Sequence, residues 1–368
     1  MKIWILALAA LIGGCASSRG LAPRDPSRPA LIIAHRGASG ERPEHTLAAY
    51  RLAIRQGADF IEPDLVMTRD GVLVARHENE ISETTDVAAH PEFAGRKASK
   101  IVDGQSVTGW FTEDFTLSEL KTLRAIERLP RLRPGNTAYD GQEAIPTFAE
   151  VLALAKAGKV GIYPETKHPS YFAALGLDME KPLLAALAKA GLKRAKDRVF
   201  IQSFEVGNLR ALARRTRLPL IQLIAADAGP ADVAGLRPET MLSQEGLGLI
   251  AQYAAGIGVQ KSLLLPRDSA GASLAPTDLV ARAHALGLEV HAWTFRAENA
   301  FLPLELRRGT DASAPDYLAG HGAMDQEIQQ ALALGLDGLF TDFPAAGLAA
   351  RDARHQQPAR PRSSAPAR

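Results

Sequence analysis

The 368-residue chain has a single cysteine, Cys15. One thiol excludes an intrachain disulfide and a thiolate metal site. An excess of one charge is also lacking: 43 Lys and Arg against 41 Asp and Glu leave a net charge of +2. No global field would draw the chain onto nucleic acid or an anionic membrane, and no basic–aromatic stripe is present. The unbroken apolar run Ile3–Ile12 holds ten residues, too few to span a bilayer. A Gly-rich phosphate loop after the first strand is missing, which disfavours an open doubly wound sheet. What is present, 46% hydrophobic and 23% charged residues, is ordinary for a globular protein with a sizeable core. The length allows one large domain or two ordinary ones.

Lys2 precedes the apolar run, and Gly13, Gly14 and Cys15 follow it. This pattern reads as a signal peptide over 1–14. An aliphatic residue, two small residues and then Cys resemble a bacterial lipobox. That implies lipidation of Cys15, a membrane attachment through an N-terminal lipid anchor, and an exported protein of the periplasm or cell envelope. Residues 15–29 are small, polar and Pro-rich, as in a tether. Residues 351–368 carry arginines and prolines with few apolar residues and read as a disordered tail.

Between them, over 30–350, apolar runs alternate with helical patterns. The runs are 31–34, 60–65, 160–163, 199–203, 220–224, 256–259, 289–294 and 338–341. Thr147 with Glu150, and Thr116 with Glu119, have capping-box spacing. Pro276, Thr277 and Asp278 open a helix whose apolar residues Leu279, Val280, Ala283 and Leu286 recur at helical spacing, and Gly287 stops it. Eight strand–helix repeats point to an α/β fold, a (β/α)8 TIM barrel. Asp70-Gly71 marks a hairpin; read as a two-residue turn, it places Asp64 opposite His77. The stretch 78–145 has little periodicity and is too long for a loop. It is expected to be an insertion after the second strand that caps one barrel end.

Barrels of this kind carry their chemistry at the C-terminal strand ends. The first strand ends in His35-Arg36-Gly37, the second carries Glu62 and Asp64, and the third reads Tyr163-Pro164-Glu165-Thr166-Lys167. Period two puts Glu62 and Asp64 on one face, where like charges repel. Glu165 on the neighbouring strand end could complete a hard oxygen site for calcium or magnesium. Salt bridges to Arg36 and Lys167 would satisfy the same carboxylates, and spacing does not choose between the two. His35 and His77 are the acid–base candidates. Arg36 and Lys167 are natural phosphate clamps.

His35-Arg36-Gly37-Ala38-Ser39, Pro43-Glu44 with Thr46, Glu62 with Asp64, the hairpin leading to His77, Tyr163-Pro164-Glu165 with Lys167, and Phe340-Thr341-Asp342-Phe343-Pro344 together resemble the glycerophosphodiester phosphodiesterases. The likeness runs in order over about 31–348 and is closest to periplasmic members with a long insert. It implies hydrolysis of glycerophosphodiesters to sn-glycerol 3-phosphate and an alcohol, in glycerophospholipid breakdown. By the same resemblance His35 and His77 are catalytic, and Glu62, Asp64 and Glu165 hold a divalent metal, calcium first and magnesium second. Arg36 and Lys167 grip the phosphate, Phe204 and Trp293 line the substrate pocket, and Glu44 steadies the first loop from behind. The chain departs from the family pattern in Glu78, where aspartate is usual, in Pro63 between two ligands, and in His45, where an asparagine cap is common. Two rival readings remain at this stage: an enzyme acting on intact lysophospholipid, and a lipoprotein that only binds a ligand.

Overall fold

The computed structural model describes residues 28–356. The expected leader, Cys15, all but the end of the tether, and the chain after Gln356 lie outside the described residues. Thirteen strands are present among those described: β1 (Leu31–His35), β2 (Phe60–Glu62), β3 (Asp64–Met67), β4 (Leu73–Ala75), β5 (Ala98–Val102), β6 (Gln105–Gly109), β7 (Gly161–Ile162), β8 (Glu165–Thr166), β9 (Ile201–Ser203), β10 (Leu220–Ile224), β11 (Gly256–Gln260), β12 (Glu289–Phe295) and β13 (Gly338–Thr341). All eight expected runs are strands. The second is split in the middle and the third is followed by a break and a short continuation, because proline has no N–H for the ladder. Pro63 divides β2 from β3, and Pro164 divides β7 from β8.

The sheet runs β4-β3-β8-β9-β10-β11-β12-β13-β1-β2-β7. Its path starts and ends on halves of the same two strands, so the sheet closes into an eight-stranded barrel. Hydrogen bonds cross both breaks: Glu165 N donates to Pro63 O at 2.9 Å and Gln202 N to Pro164 O at 3.0 Å. Every barrel pairing is parallel, and β4 is added antiparallel to β3.

Side chains alternate between two cores. Ile33, Phe60, Tyr163, Phe200, Ile221 and Phe340 fill the barrel interior, while Ile32, Ala34, Ile61 and Leu65 face the outer helices. Tyr163 Oη meets His291 Nδ1 at 2.7 Å inside the barrel, which gives each of these two buried atoms a partner. This aromatic plug closes the barrel below the C-terminal strand ends.

The helix Leu47–Arg55 is capped by Thr46, whose side chain accepts from Ala49 N. Both expected capping boxes form. The one at Thr147 opens the helix Phe148–Gly158, whereas the one at Thr116 supports a single turn, Leu117–Leu120. The helix expected from Pro276 begins only at Leu279. No helix of the described residues is long and apolar enough to cross a membrane.

Two expectations are corrected. The hairpin pairs Leu65 with Ala75, so Asp64 lies opposite Arg76 and not His77. Thr68 Oγ1 donates to Asp70 Oδ1 at 2.6 Å and accepts from Val72 N at 2.9 Å, while Gly71 takes φ +78°. The loop is therefore Arg69-Asp70-Gly71, three residues with a left-handed glycine, and the register slips by one. Residues 351–356, expected as the start of the tail, belong to the last helix, Pro344–Gln356, and the rest of that expected segment lies outside the described residues. Arg351 holds it down, with Nη1 2.8 Å from Asp59 Oδ2 and 3.3 Å from Ala30 O.

Residues 78–145 contain only short elements: the β5–β6 hairpin, 3-10 turns and the turn Leu117–Leu120. They bury Phe93, Trp110, Phe111, Phe115 and Leu120. Through Arg128 and Arg133 they reach Glu44 and Asp342, so they cover the C-terminal end of the barrel.

Candidate active site

At the end of β1 the chain turns sharply, with Arg36 at φ +60° and Gly37 at φ +87°. This turn aims the Arg36 amide at Glu62, donating to Oε2 at 2.9 Å and to the carbonyl at 3.1 Å. Oxygens of Glu62, Asp64 and Glu165 lie within 4.8 Å of one another, all three residues buried. Glu62 and Asp64 flank the break at Pro63, and Glu165 follows the break at Pro164.

Burial, then the charges of Asp64 and Glu165, push the Glu62 carboxyl well above the ordinary range. Burial raises Glu165 to about 8 against the opposing pull of Lys167, and Asp64 adds to the rise. Burial also disfavours charge on Asp64, but a hydrogen bond from His45 and the charges of Arg36 and Lys167 outweigh it and hold its carboxyl well below the ordinary range. Three buried acids whose charges oppose one another form a hard oxygen donor set. Glu165 Oε1 lies 2.8 Å from Lys167 Nζ. Hard oxygens from three buried carboxylates fit a divalent ion of the calcium or magnesium kind.

The imidazoles stand beside this cluster. His35 Nδ1 is 2.7 Å from Asp342 Oδ1, and His77 Nδ1 meets Glu78 Oε1. A carboxylate only accepts, so each ring carries its proton at Nδ1 and keeps a lone pair at Nε2. Lys167 Nζ lies 3.2 Å from His77 Nε2, as a donor to that lone pair. Burial and the Arg36 charge lower His35 to about 4. Burial with Arg36 and Lys167 lowers His77 to about 3. Both rings are neutral at pH 7.

A cavity of about 440 Å³ is lined by His35, Arg36, Glu62, His77, Glu165, Lys167, Phe204 and Trp293. This size suits a small ligand. Phe204 and Trp293 pack edge to face at 5.8 Å, and Trp293 Nε1 donates to Gly258 O at 3.1 Å. Asp64 sits just behind the cavity wall. Glu44 lies further back and accepts from Arg36 Nη1 at 3.0 Å. Every expected site residue within the described chain is therefore brought to one place.

Other groups at this site escaped the sequence reading. His45, at φ +56°, bridges Tyr50 Oη at 2.8 Å and Asp64 Oδ2 at 3.0 Å. Its presence in a cap position already taken by Thr46 was the signal. Arg76, fully buried, donates to the carbonyls of Ala75 at 2.8 Å and Thr84 at 3.0 Å and reaches those of Glu44 and His45. A charged residue closing an apolar strand could have flagged it. Asp342 follows the last barrel strand, where the strand-end rule looks for function. Gln202 Nε2 donates to Glu62 Oε1 at 3.2 Å. Arg128 and Arg133 had no local signal at all.

Two fixed cations, two neutral imidazoles and a cluster of hard oxygens at the mouth of a parallel barrel define a phosphate-ester hydrolase of the (β/α)8 class. The model of the Glycerophosphoryl diester phosphodiesterase family matches residues 35–346. A glycerophosphodiester phosphodiesterase of Arabidopsis thaliana is 40% identical over 87% of this chain and 85% of its own length. One from Haemophilus influenzae is 29% identical over 95% and 98%. The crystal structure of the glycerophosphodiester phosphodiesterase of Agrobacterium tumefaciens shares the fold, with a TM-score of 0.54 at 18% identity over 87% of this chain and 99% of that one. So does an Oleispira antarctica phosphodiesterase in complex with the product sn-glycerol-3-phosphate, with a TM-score of 0.54 at 21% identity over 88% and 97%. The chain belongs to the glycerophosphoryl diester phosphodiesterase family, and it is a glycerophosphodiester phosphodiesterase.

Proposed function

We propose that the protein hydrolyses glycerophosphodiesters to sn-glycerol 3-phosphate and an alcohol, with His35 and His77 as the acid–base pair and a divalent metal held by Glu62, Asp64 and Glu165. Calcium is the first choice of metal and magnesium the second. The observation that carries this reading is the convergence of two imidazoles and two fixed cations on one cavity, beside a cluster of three buried carboxylates. The product bound by the Oleispira antarctica relative supports the choice of products.

Arg36 and Lys167 hold the phosphodiester anion between them, the first as a planar fork and the second as a point charge. Phe204 and Trp293 flank the organic part of the substrate and exclude water from it. A neutral imidazole takes a proton of the attacking water at Nε2 as the new O–P bond forms. The other imidazole, once it faces the bound anion, gains a proton and delivers it from Nε2 to the departing alcohol oxygen as the old P–O bond breaks. The metal, when bound, supplies Lewis-acid charge to a phosphoryl oxygen. Asp342 and Glu78 hold the rings at Nδ1, and Glu44 keeps Arg36 in place.

The test is release of sn-glycerol 3-phosphate from glycerophosphocholine and glycerophosphoethanolamine, with lysophosphatidylcholine as the rival substrate. His35→Ala and His77→Ala should each lower kcat by about 10²–10⁴, the span of a general acid or base, with the thermal midpoint unchanged. Near-normal turnover in either variant contradicts the assignment.

The reading extends to location. Lipidation at Cys15 would leave the enzyme exported and tethered to the cell envelope, where deacylated phospholipids are taken apart. The balanced charge gives no reason to expect a nucleic-acid partner.

A further inference from the structure

The inference rests on the assignment of His35 and His77 above and concerns what holds them. Within 78–145, one short segment, 127–136, is closed on itself. Arg133 N donates to Leu129 O at 2.8 Å, Asn136 N to Arg133 O at 2.9 Å, and Asn136 Nδ2 to Glu127 Oε2 at 2.8 Å. From this turn two arginines leave in different directions.

Arg128 uses its whole fork. Nε and Nη2 donate to Glu44 at 2.9 and 2.7 Å, and Nη1 and Nη2 donate to Glu78 at 3.1 and 2.6 Å. Glu78 is the carboxylate on His77 Nδ1. Arg133 donates from Nη2 to Asp342 Oδ2 at 2.5 Å, from Nε to Glu298 Oε1 at 2.6 Å and from Nη1 to Ser39 O at 2.9 Å. Asp342 is the carboxylate on His35 Nδ1, and Ser39 Oγ donates to His35 O at 2.7 Å. An arginine serving only to pin the segment would need one partner of any kind. Here each of the two ends on the acid that fixes one imidazole.

We propose that segment 127–136 is a two-armed brace in which Arg128, through Glu78, and Arg133, through Asp342, are positioning residues that hold the rings of His77 and His35 at Nδ1. The insertion is thereby part of the catalytic apparatus as well as a cover. Neither arginine touches the reacting atoms. A lysine cannot replace either one fully, since a point charge cannot hold two carboxylates in a plane.

The experiment uses the full chain in calcium, with Arg128→Met, Arg128→Lys, Arg133→Met and Arg133→Lys. Steady-state kinetics on glycerophosphocholine are read alongside nitrogen NMR of the histidine rings. Arg128→Met should lower kcat by about 100-fold, within the range for loss of acid–base function, with KM within about threefold. It should shift the His77 ring signals towards a mixture of tautomers and leave those of His35 in place. Arg133→Met should do the converse. Each lysine variant should recover only part of the loss. If Arg133→Met does not fold, Arg133→Lys, which keeps the charge and loses the fork, carries that arm. The brace is overturned if Arg128→Met stays within threefold of the parent in kcat, or if kcat falls while both rings keep their spectra. Full activity in His35→Ala or His77→Ala would instead remove the histidine assignment beneath it. Inactive histidine variants beside a fully active Arg128→Met would remove the brace alone.

Discussion

Glu62, Asp64 and Glu165 bring their oxygens within 4.8 Å of one another in a buried site, where burial and mutual repulsion oppose three charges even with Arg36 3.2 Å from Asp64 and Lys167 2.8 Å from Glu165. The state of Glu165 then depends on pH. Its carboxyl, raised by burial to about 8 against an ordinary 4.5, binds a proton in the metal-free fold that the unfolded chain has lost. That contribution to stability is complete below about pH 4.5 and disappears as pH rises through about 8. A bound metal needs the ionised form, so its stabilising effect must grow over the same window. The rise in thermal midpoint on adding calcium should be larger at pH 8 than at pH 6. A calcium shift equal at both pH values would show that these acids do not titrate with the metal.

At the scale of elements, two left-handed glycines separate conformational strain from packing. Gly71, in the β3–β4 loop at φ +78°, has open space where a Cβ would go, whereas at Gly37, φ +87°, a Cβ would sit 2.7 Å from the Ala49 carbonyl carbon. Gly71→Ala should cost about 1 kcal/mol, the price of φ alone. Gly37→Ala must also push the helix Leu47–Arg55 away from β1. It should cost more than about 3 kcal/mol and disturb the Arg36 turn. Urea unfolding midpoints measure both, and equal losses would contradict the packing argument. The same loops show where sequence reading stops. The eight strands were legible because buried parallel strands are continuous apolar runs, and Pro63 already marked a break. The hairpin register was not, because Asp70-Gly71 suits both a two-residue and a three-residue loop. The Thr68 side chain, bonded to Asp70 and Val72, decides for three. Residues 78–145 fold through scattered ion pairs and single turns, and no periodicity announces those. Nothing near Arg128 in the sequence shows that it pairs with Glu44, 84 positions away.

For the whole molecule, the barrel brings His35, the three acids and Lys167 together at one strand-end face, and the insertion reaches over that face. This much of the site was legible, because each residue closes a barrel strand. The residues that steady it were not, because they meet only in three dimensions. The proposed tether adds a claim about place: Cys15→Ala should move the enzyme from the membrane fraction to the soluble fraction with unchanged kcat, and an unchanged distribution would argue against lipidation. The central claim is that the three carboxylates hold one divalent ion on which turnover depends. The direct measurement is calorimetric titration of calcium into chelator-treated protein, run in parallel with release of sn-glycerol 3-phosphate. The account predicts one site per chain, activity that is lost on chelation and returns as that site fills, and neither binding nor activity in Glu165→Gln. Full activity after chelation, or undiminished calcium binding in Glu165→Gln, would contradict it.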